Sequence, residues 1–341
     1  MFTKDSEVMI VKIITCLLPV VFLIALGCAN TGPVIPGEEL EKLESEIEKQ
    51  ATEVYIHDWA KIWEVGIRIL DNLPDGAVTK RAVIGALIGD NSEEIAELFH
   101  LPSDKGCVVI EVAQNSIAKD AGIKSGDLIK AVNGNEVDDH GDVVFEAGKT
   151  NTIVLERDGL KFSCNVKPKE APYVRISLDQ TGNINAYAGL TGIQFTLGMV
   201  HFVENDNELA VIMGHELAHI TSRHIPKNAG VAVLCGIFSG ITGPFAPLTF
   251  KSLYAPYSRE KEREADYVGL IYAHRAGYNI EKGIELWKRF ALEIPRSRSK
   301  SFLHNHPPST ERIIRVKKVA ELVKSGKEIL QNDKFHQGNS D

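Results

Sequence analysis

Positive charge is in short supply in this chain. Lys+Arg 38 against Asp+Glu 46 leaves a formal net charge of -8 over 341 residues, so no general basic field gathers phosphate backbones, and nucleic acid is not expected as a partner. Cysteine is scarce too. The five cysteines are too few and too scattered for a disulfide scaffold, which leaves packing as the source of stability. Cys107 and Cys164 could pair in an oxidising compartment, but their spacing does not decide it. Long apolar runs are almost absent. What remains, 44% hydrophobic and 25% charged residues, is an ordinary globular composition that excludes wholesale disorder, a fibre or a coiled-coil rod. The length suggests about two domains.

The one clear apolar run lies at the N-terminus. No residue from Ile13 to Cys28 is charged, Lys12 precedes the run, and a polar stretch with Gly and Pro follows it. This is a signal-peptide profile. Its end, Leu23-Ile24-Ala25-Leu26-Gly27-Cys28, resembles a bacterial lipobox, which implies that Cys28 is acylated and that residues 1–28 are the signal segment. The chain is therefore expected in a bacterial cell envelope, lipid-anchored and facing the periplasm. The alternative is an uncleaved single-span inner-membrane anchor, for which roughly 17 apolar residues is near the minimum. Residues 29–50, rich in Glu and Lys, read as a solvated linker. Val54, Trp59, Ile62, Trp63, Val65, Ile67 and Leu70 then recur at about i, i+3, i+4, and Pro74-Asp75-Gly76 stops them, so the spacing predicts an amphipathic helix over 51–73.

Over about 81–168 the texture changes to short β-branched runs between glycine turns. Within it, the string from Asn115 to Ile129 predicts a short helix ended by Gly122, a turn at Gly126-Asp127 and then a strand, with Asn133-Gly134 as a hairpin turn. Together with Val83-Ile84-Gly85 and Gly106-Cys107-Val108-Val109, these residues resemble a PDZ domain of the bacterial HtrA-protease type. The resemblance implies capture of an extended C-terminal peptide, its carboxylate held by backbone amides at Val83, Ile84, Gly85 and Ala86. One departure stands out. The second, groove-lining helix has only Asp139 to Ala147 to draw on, interrupted by Gly141, so a spacer or a steric gate is the competing reading.

The chemistry-bearing residues come later. In Gly214-His215-Glu216-Leu217-Ala218-His219, two histidines four apart on a helix project from one face, as two imidazoles on one zinc require, with Glu216 as the adjacent base. With 11 His and 29 Glu, chance alone predicts about 0.03 such motifs, so the pentapeptide is suggestive and requires a third ligand. The best candidate lies in the acidic stretch from Glu260 to Asp266. Glu262 and Asp266 share a helix face, so Glu262 can bind the metal while Asp266 orients a ligating histidine; Glu264, rotated by about 200°, points away. An exposed charged helix turn is the bland alternative for the same residues.

These stretches, with Asn185-Ala186, Gly192-Ile193-Gln194-Phe195-Thr196, Ser222-Arg223-His224, Ala276-Gly277-Tyr278 and His306-Pro307-Pro308 followed by Arg312, resemble the HtpX and CAAX-prenyl-protease family of gluzincin metallopeptidases. The resemblance implies a zinc endopeptidase with one Zn2+ per subunit, ligands His215, His219 and Glu262, and Glu216 as general base. It implies a catalytic or inhibitory approach of His306, with Arg312 nearby, and a sheet edge at Gly192, Ile193, Gln194, Phe195 and Thr196 on which substrate backbone lies. His224 fits the pattern but is read as packing the helix end. The uncharged stretch 228–250, broken by Gly and Pro, reads as a lid or membrane-dipping element.

The expected fold is α+β: a zincin-like, mainly helical metallopeptidase domain with a small β-sheet (51–80 and 170–333), interrupted by a β-rich PDZ-like domain (81–169), with a tail at 334–341. The expected function is cleavage of misfolded or misassembled envelope proteins, with the PDZ module recruiting substrate tails or gating the site. The alternative is an envelope chaperone or assembly scaffold whose peptidase site is latent.

Overall fold

A computed structural model describes residues 35–102, 105–189, 192–224, 258–294 and 309–327. Cys28, the 228–250 stretch and His306 lie outside these residues. The chain divides into two compact units, 1–48 and 49–341. Among the described residues no helix is long and apolar enough to cross a membrane.

Helix α1 runs from Gly37 to Leu70, so it begins inside the stretch expected to be a linker. Every residue from 37 to 50 is exposed, and the helix there begins with acidic residues in its first turn, which suit a helix N-terminus. Its second half is amphipathic, burying Ile62, Val65, Ile69 and Leu70.

The chain then enters a β-rich module through β1 (Lys80–Val83) and leaves it through β8 (Lys169–Pro172). These two strands pair antiparallel, from Lys80 opposite Pro172 to Val83 opposite Lys169. Between them lie β2 (Ala86–Asp90), α2 (Glu93–Leu98), β3 (Cys107–Val112), α3 (Ile117–Asp120), β4 (Leu128–Val132), β5 (Asn135–Glu136), β6 (Asn151–Arg157) and β7 (Leu160–Val166). They form one antiparallel sheet in the order β2-β3-β4-β6-β7, with β5 added to β4. Successive residues of a strand face opposite sides. Accordingly Cys107 and Val109 enter one core with Ile129, Ile153 and Leu155, whereas Val108 and Ile110 enter another with Leu87, Leu128 and the α1 side chains Ile56, Trp59 and Trp63. Both faces are covered, which explains the uninterrupted apolar run in β3. The sheet also answers the cysteine question: Cys107 and Cys164 are both free, and β3 and β7 are three strand spacings apart, about 14 Å, well beyond disulfide reach.

A third core belongs to a three-stranded sheet and the helices around it. Strands β9 (Ile176–Asp179), β10 (Ala186–Gly189) and β11 (Gly192–Thr196) lie in the order β10-β11-β9. The expected edge strand, Gly192, Ile193, Gln194, Phe195 and Thr196, is therefore corrected: it is the middle strand, antiparallel to β10 and parallel to β9. Ile193 and Phe195 are almost fully buried, and the parallel partner, Ile176 to Asp179, gives no local signal that would reveal the pairing. Helices α4 (Leu197–Phe202), α5 (Asp206–Thr221), α6 (Arg259–Arg275), α7 (Lys282–Glu293) and α8 (Ser309–Lys324) complete this layer. Their apolar residues pack with the sheet and α1 into one cluster.

Candidate active site

Helix α5 is buried on every side from Glu208 to His219, and Asn205 caps it by accepting from the N–H groups of Asn207 and Glu208. Helix α6 crosses it almost backbone to backbone. A Cβ on Gly269 would lie 2.5 Å from Gly214 C and His215 N, and a Cβ on Gly214 would lie 2.3 Å from Gly269 O. Only glycine at both positions permits this approach, and it brings the α6 carboxylates to the α5 histidines.

Three donor groups converge there. His215 Nε2 is 3.1 Å from His219 Nε2 and 3.4 Å from Glu262 Oε2, and His219 Nε2 is 3.4 Å from Glu262 Oε1. All three residues are buried. Ligands held at about 2.0–2.2 Å from a tetrahedral ion stand about 3.3–3.6 Å apart, close to these separations, and the two-imidazole, one-carboxylate donor set suits zinc. Glu216, next along α5, is also buried.

The far side of the His215 ring is supported separately. Its Nδ1 is 3.0 Å from Asp266 Oδ1, which also accepts from Arg312 at 2.5 Å, and Arg315 reaches Asp266 Oδ2 at 3.2 Å. Arg312 lies 2.9 Å from the same His215 Nδ1 and stacks over Trp287, 3.7 Å from its ring centroid. With Nε2 turned to a metal, Nδ1 carries the proton, so the ring and Arg312 are two donors sharing one carboxylate. This corrects the catalytic expectation for Arg312: it sits behind the histidine, on the Nδ1 side, rather than facing the donor cluster. Burial alone would raise the Asp266 carboxyl, but Arg312 and the hydrogen bond from His215 hold it below the usual range. Burial and Arg312 push the His215 ring down, yet its hydrogen bonds to Asp266 and Glu262 outweigh them and lift it to about 9 in the metal-free protein.

His224, read as packing the helix end, and Glu264, read as pointing away, also come in. His224 is buried, with Nδ1 3.0 Å from His219 Nδ1 and Nε2 3.2 Å from Glu264 Oε2. Burial pushes the His224 ring below the ordinary imidazole range despite Glu264. Glu264 does point away from the donor cluster, as its helical rotation predicts, but toward this histidine.

In the β-rich module, Val83, Ile84, Gly85 and Ala86 form the corner leading into β2. Ile84 and Gly85 carbonyls accept from Ala118 and Ala113 at 2.8 and 3.0 Å, and Gly85 has a φ of +76 with Ser116 Cβ 2.5 Å from where a side chain would start. Since Gly85 pairs with Ala113, the next residue, Ala86, directs its N–H and C=O away from β3, toward the open edge of the sheet. The expected groove helix is reduced to one 3-10 turn, His140–Asp142, pinned to β2 by two bonds to Asp90: His140 N–H donates at 2.7 Å, and the His140 ring Nδ1 lies at 3.0 Å.

Residues 151–320 match the model of peptidase family M48, and residues 77–147 match the PDZ domain. Fold, donor cluster and match together place the chain in peptidase family M48, with a PDZ domain added. It is similar to the mitochondrial metalloendopeptidase OMA1 of Saccharomyces cerevisiae, 31% identical over 153 residues that cover 41% of this chain and 44% of the relative. It is also similar to metalloprotease YcaL of Escherichia coli, 25% identical over 166 residues, 45% of this chain and 64% of the relative. The chain thus spans less than two thirds of the length of these curated relatives. A solved HtrA3 PDZ domain with a phage-derived ligand is 24% identical, covering 27% of this chain and 88% of that one, with a TM-score of 0.24. The boundary between the two matched ranges falls between β5 and β6, yet β6 pairs with β4, so one sheet spans both.

Proposed function

We propose that this chain is a zinc-dependent metalloendopeptidase, tethered to a bacterial envelope membrane through Cys28, that cleaves misfolded or misassembled envelope proteins. The observation that carries the peptidase reading is the convergence of His215 Nε2, His219 Nε2 and Glu262 within 3.1–3.4 Å of one another. Zinc bound by these residues would supply a Lewis acid that lowers the pKa of its water to about 7 and polarises the scissile carbonyl. Glu216 then takes the proton of the attacking water and returns it to the leaving amine. Asp266, neutralised by Arg312 and Arg315, keeps the His215 ring turned so that Nε2 faces the donor cluster. The substrate backbone is read as adding to the outer edge of β10, the strand of the small sheet that packs against α5.

The β-rich module is read as an insert over 81–169 within a peptidase domain made of 51–80 and 170–333, closed at its neck by β1 and β8. Its open β2 edge and the Val83–Ala86 corner suit a C-terminal tail added as a strand, although the missing groove helix leaves less wall for side-chain selection. Glu216→Gln beside wild type, on an unfolded β-rich substrate with zinc measured in both, tests the reading. Retained zinc with cleavage lost by on the order of 10²–10⁴-fold is expected; equal cleavage would overturn it. Changing the last residues of the substrate should slow wild-type cleavage, and indifference to that change rejects tail recruitment.

A further inference from the structure

Helix α5 ends in a reversed turn that has a cost. Arg223 N–H donates to the Ile220 carbonyl at 3.0 Å and His224 N–H to the His219 carbonyl at 2.9 Å, the paired closure that normally uses glycine at its left-handed position. Here that position is Arg223, with a φ of 55. The turn folds His224 back beneath His219, ring centroids 5.1 Å apart and planes at 67°. Helix α6 holds it there twice over: Glu264 Oε2 meets His224 Nε2 at 3.2 Å, and Lys261 Nζ donates to the His224 carbonyl at 3.2 Å.

We propose that His224 and Glu264 are positioning residues that fix the ring orientation and tautomer of His219. The inference rests on the zinc reading above. If His219 ligates through Nε2, its Nδ1 carries the proton and donates to His224 Nδ1. His224 then carries its own proton on Nε2 and donates to Glu264. With both rings neutral, a single proton arrangement satisfies all three groups, and it is the one that leaves His219 Nε2 with a lone pair toward the donor cluster. His224 is not itself a ligand, because it meets the Nδ1 side of the His219 ring and is not among the converging atoms. Each ligating histidine is thereby steered from α6: His215 directly by Asp266, His219 through His224 by Glu264. Outer partners of this kind commonly change metal affinity by about 10–100-fold.

The test uses the full chain and zinc alone, with affinity read by competition against a chromophoric chelator and coordination read by the visible absorption of the cobalt(II)-loaded protein. His224→Ala should weaken zinc binding about 10–100-fold and alter the cobalt spectrum. His224→Asn, whose Oδ1 can take the place of Nδ1 as acceptor, should restore most of both. Glu264→Ala, at a half-exposed site that leaves folding intact, should weaken binding less, and the double variant should be no worse than His224→Ala because the effect runs through His224. Additive losses, or an affinity within about twofold of wild type in either single variant, would overturn the proposal. Wild type lacking stoichiometric zinc would instead sink the peptidase reading along with this one.

Discussion

The glycine pair at the crossing of α5 and α6 allows the strongest quantitative test of how the site is built. In Gly269→Ala the new methyl would start 2.5 Å from Gly214 C and His215 N, where ordinary contact is 3.4–4 Å. The neighbours are backbone atoms of a fully packed helix, so the helices must part by about 1 Å. Overpacking of this kind costs roughly 1–3 kcal/mol, which outweighs the ~1 kcal/mol that alanine gains over glycine in a helix interior. The functional effect should be larger than the effect on stability. Glu262 rides on α6 and both histidines on α5, while ligand distances tolerate only about ±0.2 Å, so a ~1 Å parting exceeds that tolerance several-fold. Gly283→Ala is the control, since the atoms nearest its added methyl are side-chain atoms of Val211 and Val316 at 3.3–3.5 Å. Urea unfolding of the metal-free proteins and zinc competition would be measured in parallel. Gly269→Ala should lose stability and bind zinc at least about tenfold more weakly than the control, taking 1.4 kcal/mol per decade. If its stability and affinity match those of the control, the backbone-contact argument is wrong.

Other substitutions probe the buried charges. Asp266→Ala leaves Arg312, 4% exposed, without its carboxylate; unfolding experiments should show a loss of about 3–5 kcal/mol, and zinc titration a 10–100-fold weaker site. In the PDZ module Asp127 is fully buried and takes two bonds from Arg157, at 2.5 and 2.7 Å. Asp127→Ala should cost nearer 2 kcal/mol by thermal unfolding, because Arg157 is partly exposed and can turn to water. Burial pushes the Cys107 thiol up to about 12. A raised value favours the neutral thiol, so at pH 8 the native protein should show no alkylation at Cys107 by peptide mapping, and the site should open only on unfolding.

The parts of the site that the sequence exposes are those with a local period. His215 and His219 are one helical turn apart, as are Glu262 and Asp266, and each pair could be assigned to a face before any tertiary structure was known. What brings the pairs together was hidden, because Gly214 and Gly269 look like ordinary helix-weakening residues until the two backbones are seen in contact. His224 was hidden for another reason: its position depends on Arg223 adopting a conformation that its residue type does not announce. Glu264 is turned from the donor cluster as its helical rotation predicts, but the far face of a helix is not always solvent. The misplaced sheet edge has the same origin, since a parallel pairing between Ile176–Asp179 and Gly192–Thr196 is non-local. The acidic start of α1 reads as linker because it buries nothing, yet once the buried half nucleates the helix, each further residue adds a backbone bond without a new nucleation cost.

Trp59 shows how the peptidase core and the PDZ sheet are joined. Its ring packs on the PDZ sheet, where a Cβ on Gly89 of β2 would meet it at 3.2 Å, and its Nε1–H donates to the Ile176 carbonyl of β9 at 3.2 Å. The side chain borders both apolar clusters. The strand at the end of the PDZ sheet, β2, is thus seated on the same helix that lines the peptidase core, and the β1–β8 pairing makes a second attachment. A recruiting module on a flexible tether would need neither feature, because a tether delivers substrate by local concentration alone. Two attachments hold the β2 edge in a fixed geometry instead, so under the proposed tail recruitment the substrates served depend on the length of chain between the captured tail and the bond to be cut.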